Sequence, residues 1–381
     1  MRKALPGRWG GLFIGRVFGI GFYLDYSWFP IAGLVTWMLA AKVLPIEVPD
    51  HGSLFYFGLG VSAATLFFLS ILLHELGHSL VSQRCGIAVP RITLLFIGGL
   101  AEISREPDDA KSELKIALGG PAVSVVLAVL FYGIACLSAW LGFVSGNKVC
   151  LWLAGTNLVL LIFNLFPGYP LDGGRVLRAL LWAKSGRLRR ATYITSRMGI
   201  GFAYALMALG LWLLCHPPFP WNALLLVLIG MFLKRAAESG YDNAVQREVL
   251  GGVCVGELMT RTPISIPEHL ALSRAIDEYF LTNHHLAFPV CSAEGEFRGL
   301  LRLSALKKVP REKWPYTQAA DAVAGTHGLS ISVHETAARA MRELLAPGGE
   351  RLAVVDGEKL VGFVTRRDLL QFIEVRNALE T

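Results

Sequence analysis

The sequence predicts a polytopic α-helical membrane domain, with about six transmembrane helices and a membrane-dipping β-hairpin, followed by a soluble α+β domain. The chain has 381 residues, of which 54% are hydrophobic and only 17% charged, whereas soluble proteins carry about 25% charged residues. The apolar residues are concentrated before Glu238. Charged residues return after it, where short strand-like and helical runs alternate. We therefore place the domain boundary between residues 238 and 239.

Six apolar stretches are the predicted membrane helices. They span residues 28–44, 54–78, 114–141, 149–166, 199–215 and 221–233. The last two are near or below the lower limit of about 17 residues for a span. We keep both because a proline-rich turn at 216–220 separates them as a hairpin. Residues 12–26 are too polar for a span and predict a short interfacial strand or hairpin.

The distribution of basic residues predicts the topology. Lys and Arg cluster before the first predicted helix, between the fourth and fifth, and after the sixth, whereas the loops at 45–53 and 216–220 contain neither. By the positive-inside rule, both termini and the soluble domain lie in the cytoplasm. The basic residues behind the net charge of +7 thus reflect the topology of a multi-pass protein of the cell membrane. No nucleic-acid partner is predicted.

The apolar stretch 91–104 is too short to cross a bilayer and is centred on Gly98 and Gly99. Its β-branched residues predict a hairpin that dips into the membrane. Backbone at that depth must be buried in protein or line a wet cavity. The hairpin is either an edge strand that pairs with an unwound substrate or a packing element over the site.

One motif stands out in the second predicted helix. His74, Glu75 and His78 form the pattern H-E-x-x-H. Positions i and i+4 share a helix face, so the two imidazoles can bind one ion. Two neutral imidazoles suit zinc, and Glu75 is placed as a general base for a water molecule activated there.

A catalytic zinc site needs a third protein ligand. The metzincin arrangement would require glycine at position 81 and histidine at 84, but the chain has Val81 and Arg84. The best later candidate is the segment 164–174, which begins with Asn164 and contains Asp172.

These two motifs, H-E-x-x-H on one membrane helix and N-x-x-P-x-x-P-L-D-G on a later one, resemble those of the site-2 protease family of intramembrane zinc metalloproteases. The resemblance spans about the first 235 residues. It implies that His74, His78 and Asp172 bind one zinc ion per chain and that Glu75 is the catalytic base. The implied activity is hydrolysis of a peptide bond in or near a transmembrane segment of a membrane protein substrate.

Further substrate-binding candidates are Asn157, Asn164, Gly98 and Gly99. The two asparagines are seven residues apart and share a helix face directed at the region of Asp172. They could stabilise an oxyanion or hold a substrate backbone, or simply make interhelical hydrogen bonds. The family has a comparable glycine-containing hairpin, which favours substrate binding by Gly98 and Gly99. Arg175 and Arg178 are expected only to anchor the cytoplasmic edge.

The soluble tail contains an internal repeat, because residues 297–306 realign with 360–369. It resembles a tandem pair of CBS domains at about 253–310 and 318–377. Such pairs often bind adenine nucleotides, and Thr365 and Asp368 match the binding pattern in the second repeat. The first repeat has Arg302 and Ala305 instead. The alternative is a dimerisation module without a ligand, which would make the protein a homo-oligomer.

The sequence thus predicts a protease domain at 1–238 and a CBS pair at 239–381 that regulates it. Two other functions remain open at this point. A zinc transporter or sensor would carry acidic or histidine residues along several spans, whereas here the polar groups cluster at one depth. An inactive binding protein of the same fold is disfavoured by the intact Glu75.

Overall fold

The computed structural model describes residues 11–96, 98–216, 220–261, 263–283, 285–306, 309–323, 330–345 and 351–380. The chain forms two compact units, Met1–Asp242 and Asn243–Thr381. The change in composition from which we placed the boundary at 238/239 lies close to this division.

Among the residues that the structure describes, five helices of the first unit are long and apolar enough to cross a membrane. They are α1 (Trp28–Glu47), α2 (Ser53–Arg84), α3 (Ala110–Trp140), α4 (Val144–Asn164) and α6 (Leu188–Cys215). Each overlaps one of the first five predicted spans, so the predicted multi-pass helical domain is confirmed. Between α4 and α6 lies a shorter amphipathic helix, α5 (Asp172–Ser185). It ends at Gly186, whose φ of 69° is the left-handed cap that glycine adopts most easily.

The sixth predicted span, residues 221–233, lies in helix α7 (Pro220–Gly251). Helix α7 is not among the five candidate spans found in the described residues. Its apolar run is short because Lys234, Arg235 and Glu238 follow directly.

A four-stranded sheet accompanies the helices. It is built from β1 (Gly11–Val17), β2 (Ile20–Asp25), β3 (Arg91–Leu95) and β4 (Gly98–Glu102), in that order. The pairs β1–β2 and β3–β4 are antiparallel and β2–β3 is parallel. The predicted strands at 12–26 and the hairpin at 91–104 are confirmed. In the part of the chain that the structure describes, β4 pairs only with β3 and is an edge strand.

The second unit contains two sheets. The three-stranded sheet has the order β6 (Ile266–Pro267), β7 (Ala287–Cys291), β8 (Phe297–Arg302). The four-stranded sheet has the order β5 (Thr260–Arg261), β11 (Lys359–Thr365), β10 (Arg351–Asp356), β9 (Ser330–Ser332). The hairpins β7–β8 and β10–β11 are equivalent elements of two repeats.

Short helices complete each repeat. They are α8 (Val255–Leu258), α9 (Leu272–Ala275, continued by Ile276–Phe280 and Leu281–Asn283), α10 (Leu303–Leu306), a 3-10 turn (Arg311–Lys313), α11 (Ala319–Ala322), α12 (Ala337–Leu345) and α13 (Arg366–Glu380). The two hairpins contact each other, because Phe297 N donates to Glu358 O at 2.8 Å and Leu360 N donates to Gly295 O at 3.1 Å. The internal repeat is therefore a pair of equivalent α+β units.

Candidate metal centre

Three side chains converge between α2 and α5. His74 and His78 lie one turn apart on α2 and are buried, with their Nε2 atoms 3.2 Å apart. Asp172 is the first residue of α5, and its Oδ2 lies 3.1 Å from His74 Nε2 and 3.2 Å from His78 Nε2. This group could hold a metal ion.

The chemistry of the three side chains fits zinc. Zinc bonds to imidazole nitrogen and carboxylate oxygen are about 2.0–2.2 Å, so tetrahedral ligand atoms lie roughly 3.3–3.5 Å apart. His78 Nδ1 is 2.7 Å from the carbonyl oxygen of Ile116, which can only accept, and 3.2 Å from the backbone nitrogen of Gly120. A proton on Nδ1 satisfies the shorter contact and leaves Nε2 free to bind metal. His74 Nδ1 lies 2.8 Å from Ser124 Oγ, which can accept in the same way. These partners orient both imidazoles towards Asp172.

A glycine makes room for the imidazoles. A Cβ atom at Gly120 would lie 2.2 Å from His78 Nε2 and 2.5 Å from His74 Nε2, so only glycine leaves this space open. Helices α2 and α3 also approach closely at Gly77, where a Cβ atom would meet the carbonyl oxygen of Gly119 at 2.6 Å. Gly120 therefore leaves the space that the two imidazoles occupy, and Gly77 and Gly119 allow the two helices to pack closely beside it.

The loop before α5 fixes Asp172. Tyr169 N donates to Thr195 O at 3.0 Å, and Leu171 N donates to Gly168 O at 3.0 Å. The Tyr169–Pro170 peptide is cis. Burial raises the pKa of the Asp172 carboxyl group, but the polar contacts with His74 and His78 lower it by more, so the net shift of the pKa is downward.

A cavity of about 560 Å³ opens onto these residues. Glu75 and Asn164, both half-buried, line it. Gly98 and Gly99 of β4 line it as well, and a Cβ atom at Gly99 would lie only 2.2 Å from Glu75 Cγ. Gly98 has a φ of 137°, a conformation that favours glycine. Glu75 and Asn164 from the helices and Gly98 and Gly99 from the hairpin thus line one cavity.

Asn157 does not line this cavity. Its side chain is buried and donates from Nδ2 to Leu153 O at 2.8 Å and to Ser70 Oγ at 3.3 Å. Its Oδ1 is buried and has no hydrogen-bond partner among the described residues. The side chain links α4 to α2, which is the interhelical hydrogen bond that the sequence left open as the alternative to a role in substrate binding.

An ion-pair cluster beside the site was missed from the sequence. Glu113 of α3, 1% exposed, accepts from Arg178 Nη2 at 2.6 Å and from Arg175 Nε at 3.1 Å. Arg178 is buried and also lies over the ring of Tyr169. The expectation that both arginines only anchor a cytoplasmic edge was therefore wrong. The available signal was a glutamate at the start of an apolar run, but nothing in the sequence indicated its partners.

In the second unit, Thr365 and Asp368 contact each other at the start of α13. Thr365 N and Thr365 Oγ1 both donate to Asp368 Oδ2 at 2.8 Å. Asp368 N donates to Thr365 Oγ1 at 3.3 Å. This reciprocal arrangement is a helix cap, and it places the two predicted nucleotide-binding side chains together.

Comparisons with known proteins agree with this picture. The family model of peptidase family M50 matches residues 62–149 and 144–208, and that of the CBS domain matches 255–312 and 324–375. "Putative zinc metalloprotease Rip3" of Mycobacterium tuberculosis is 33% identical over 382 residues, covering 98% of this chain and 94% of that protein. "Putative zinc metalloprotease sll0528" of Synechocystis is 34% identical over 304 residues, 79% of each chain.

Among solved structures, the site-2 protease from Methanocaldococcus jannaschii is 28% identical, with a TM-score of 0.42, and the match covers 61% of this chain and 95% of that one. The relative from Mycobacterium tuberculosis extends over nearly the whole sequence, so both units are shared. This chain belongs to peptidase family M50, the site-2 protease family, and carries a tandem pair of CBS domains in its second unit.

Proposed function

We propose that the protein is an intramembrane zinc endopeptidase that hydrolyses a peptide bond in or near a transmembrane segment of a membrane protein. The observation that carries this proposal is the convergence of His74, His78 and Asp172 to within 3.2 Å, with Glu75 in the same cavity. Two of the three ligands lie on α2, one of the five helices able to cross a membrane. A charged or strongly polar side chain within such a helix is energetically costly. Ionisable residues at these positions therefore usually mark a functional site.

The residues divide the chemistry among them. When bound, zinc polarises the scissile carbonyl group and makes water more acidic. Glu75 takes a proton from the attacking water and returns it to the nitrogen of the leaving amine. His74, His78 and Asp172 hold the ion. The position of Glu75 beside the ligands favours catalysis over metal transport or binding alone.

The substrate is an extended segment that adds to the free edge of β4. A helical substrate must unwind first, since its amide groups are occupied within the helix. Strand addition to an exposed edge supplies hydrogen bonds to the backbone. Gly98 and Gly99 have no side chains to block that approach, and Gly99 lies against Glu75. Asn164, on the cavity wall, is placed to hold the substrate backbone or an oxyanion.

The second unit regulates access to the protease, through an adenine nucleotide bound near Thr365 and Asp368. Both termini and the CBS pair lie on the cytoplasmic side, as the distribution of basic residues indicates. The CBS pair also provides a route to homo-oligomers.

Substitution of the general base tests the activity. Glu75→Gln should retain about one zinc per chain but lose cleavage, because only the proton acceptor is removed. Membrane proteins that accumulate uncleaved in cells carrying this variant identify the substrate. Cleavage at the wild-type rate by Glu75→Gln would disprove the mechanism.

A further inference from the structure

The ion-pair cluster between α3 and α5 is more than a link between two helices. Glu113 is almost completely buried, and a buried carboxylate requires strong partners. One oxygen, Oε1, accepts from Arg175 and Arg178, which belong to the helix that begins with Asp172. Glu113 therefore holds the two cations nearest in sequence to the proposed metal ligand.

Arg175 could compete for that ligand. It is three residues from Asp172 on α5, a spacing that makes side chains neighbours on a helix, and both line the same cavity. Arginine readily forms strong paired hydrogen bonds with a carboxylate. In the region that the structure describes, however, Arg175 pairs with Glu113, whereas the Asp172 oxygens face the two imidazoles.

We propose that Glu113 is a positioning residue for the metal centre: by holding Arg175, it keeps the Asp172 carboxylate free to bind the metal. This inference rests on the proposed zinc site. It requires Glu113 to act on the orientation of Asp172 and not only on the packing of α3 against α5.

The placement of Glu113 on α3 supports this role. Ile116, Gly120 and Ser124 follow it at intervals of three and four residues, so all four positions share one face of the helix. Ile116 orients His78, Ser124 orients His74, and Gly120 leaves space in front of both imidazoles. Glu113 extends the same face to the third ligand. A single face of α3 thus supports the complete ligand set.

The test measures zinc affinity of the purified full-length protein by competition with a chelator. Glu113→Gln frees Arg175 to pair with Asp172 and should weaken zinc binding about 10–100-fold, the range typical of residues that support metal ligands. Adding Arg175→Gln removes the competing cation and should restore the affinity to within a few-fold of wild type. A purely structural ion pair predicts instead that Glu113→Gln lowers the thermal stability and that Arg175→Gln relieves this loss, with the zinc affinity of the folded protein unchanged in both variants.

Glu113→Asp covers the case in which Glu113→Gln does not fold. It keeps the charge but withdraws the carboxylate by about 1.5 Å, which lengthens the 3.1 Å contact to Arg175 beyond hydrogen-bonding distance. Glu113→Asp should also weaken zinc binding, again with rescue by Arg175→Gln.

The control is Glu47→Gln, which breaks the ion pair with Lys148 elsewhere in the membrane unit and should leave the zinc affinity unchanged.

The outcomes separate the two proposals. If wild type holds no zinc, or Asp172→Ala holds as much as wild type, the metal site itself is wrong. If those two behave as expected but the Glu113 variants bind zinc like wild type, only the positioning role fails. The positioning role also fails if the double variant binds zinc as weakly as Glu113→Gln.

Discussion

Ser124 lies one helical turn beyond Gly120 on α3, and its hydroxyl is the partner of His74 Nδ1 at 2.8 Å. Ser124 is fully buried, so its hydroxyl group and not bulk water is the partner of His74. A ligand imidazole whose second nitrogen has a fixed partner presents the other nitrogen in a defined tautomer and direction. His78 obtains the same support from a backbone carbonyl, which no substitution at Ile116 removes.

Ser124→Ala should therefore weaken zinc binding about 10–100-fold, because His74 Nδ1 loses its partner and the imidazole can rotate. Chelator competition on the purified protein measures the change. Ser138→Ala, which removes another buried hydroxyl from the same helix away from the cavity, is the matched control and should bind zinc like wild type. Equal affinities for Ser124→Ala and Ser138→Ala would show that Ser124 does not support the ligand.

The proposed ligands could be predicted from the sequence because each lies in a short local pattern. His74 and His78 depend only on the helical repeat, and Asp172 belongs to a recognisable motif. Ser124 and Glu113 could not be predicted, because their roles depend on how α3 is rotated against α2 and α5. The partner of Asn157 could not be predicted for the same reason: its helix face was predictable, but the neighbour that this face meets, Ser70, was not.

At the scale of elements, the close approach of β4 to α2 is what links the hairpin to the site. The sequence predicted the hairpin from its β-branched residues and its two glycines. It could not show that the backbone of Gly99 lies against the side chain of Glu75.

The ends of the helices were also less predictable than their existence. Helix α6 begins at Leu188 rather than near residue 199, because the basic residues that suggested a loop form its first turns.

Gly99→Ala should impair catalysis without removing the metal. The new Cβ atom would lie 2.2 Å from Glu75 Cγ, so the general base or the strand must move. A misplacement of about 1 Å in a catalytic group can cost roughly 100-fold in rate. The measurement is the rate of cleavage of a substrate identified with Glu75→Gln, together with zinc content, which should stay at the wild-type level.

Gly15→Ala is the control for this substitution. Gly15 lies in β1 of the same sheet, where a Cβ atom would meet nothing within 4 Å, so the variant should cleave at the wild-type rate. A Gly99→Ala variant as active as Gly15→Ala would mean that β4 does not constrain Glu75.

For the molecule as a whole, the main question is whether the second unit senses a ligand. The internal repeat predicted two equivalent α+β units, and the hairpins β7–β8 and β10–β11 form them. The sequence could not show that Asp368 already serves as a hydrogen-bond acceptor for Thr365. The pair is thus a helix cap and a candidate nucleotide site at once. These two roles must be separated by experiment.

Asp368→Ala should weaken binding of an adenine nucleotide to the full-length protein while zinc content stays unchanged. The carboxylate would otherwise accept hydrogen bonds from ribose hydroxyl groups, and its loss leaves them unpaired. Asp321→Ala is the matched control, since it removes the corresponding carboxylate from the cap of α11 and should leave nucleotide binding intact. Calorimetry with ATP, ADP, AMP and adenosyl compounds measures binding.

A nucleotide that regulates the protease should change substrate affinity about 5–150-fold, the typical range of allosteric coupling. If none binds at millimolar concentration, the second unit serves dimerisation or substrate docking only.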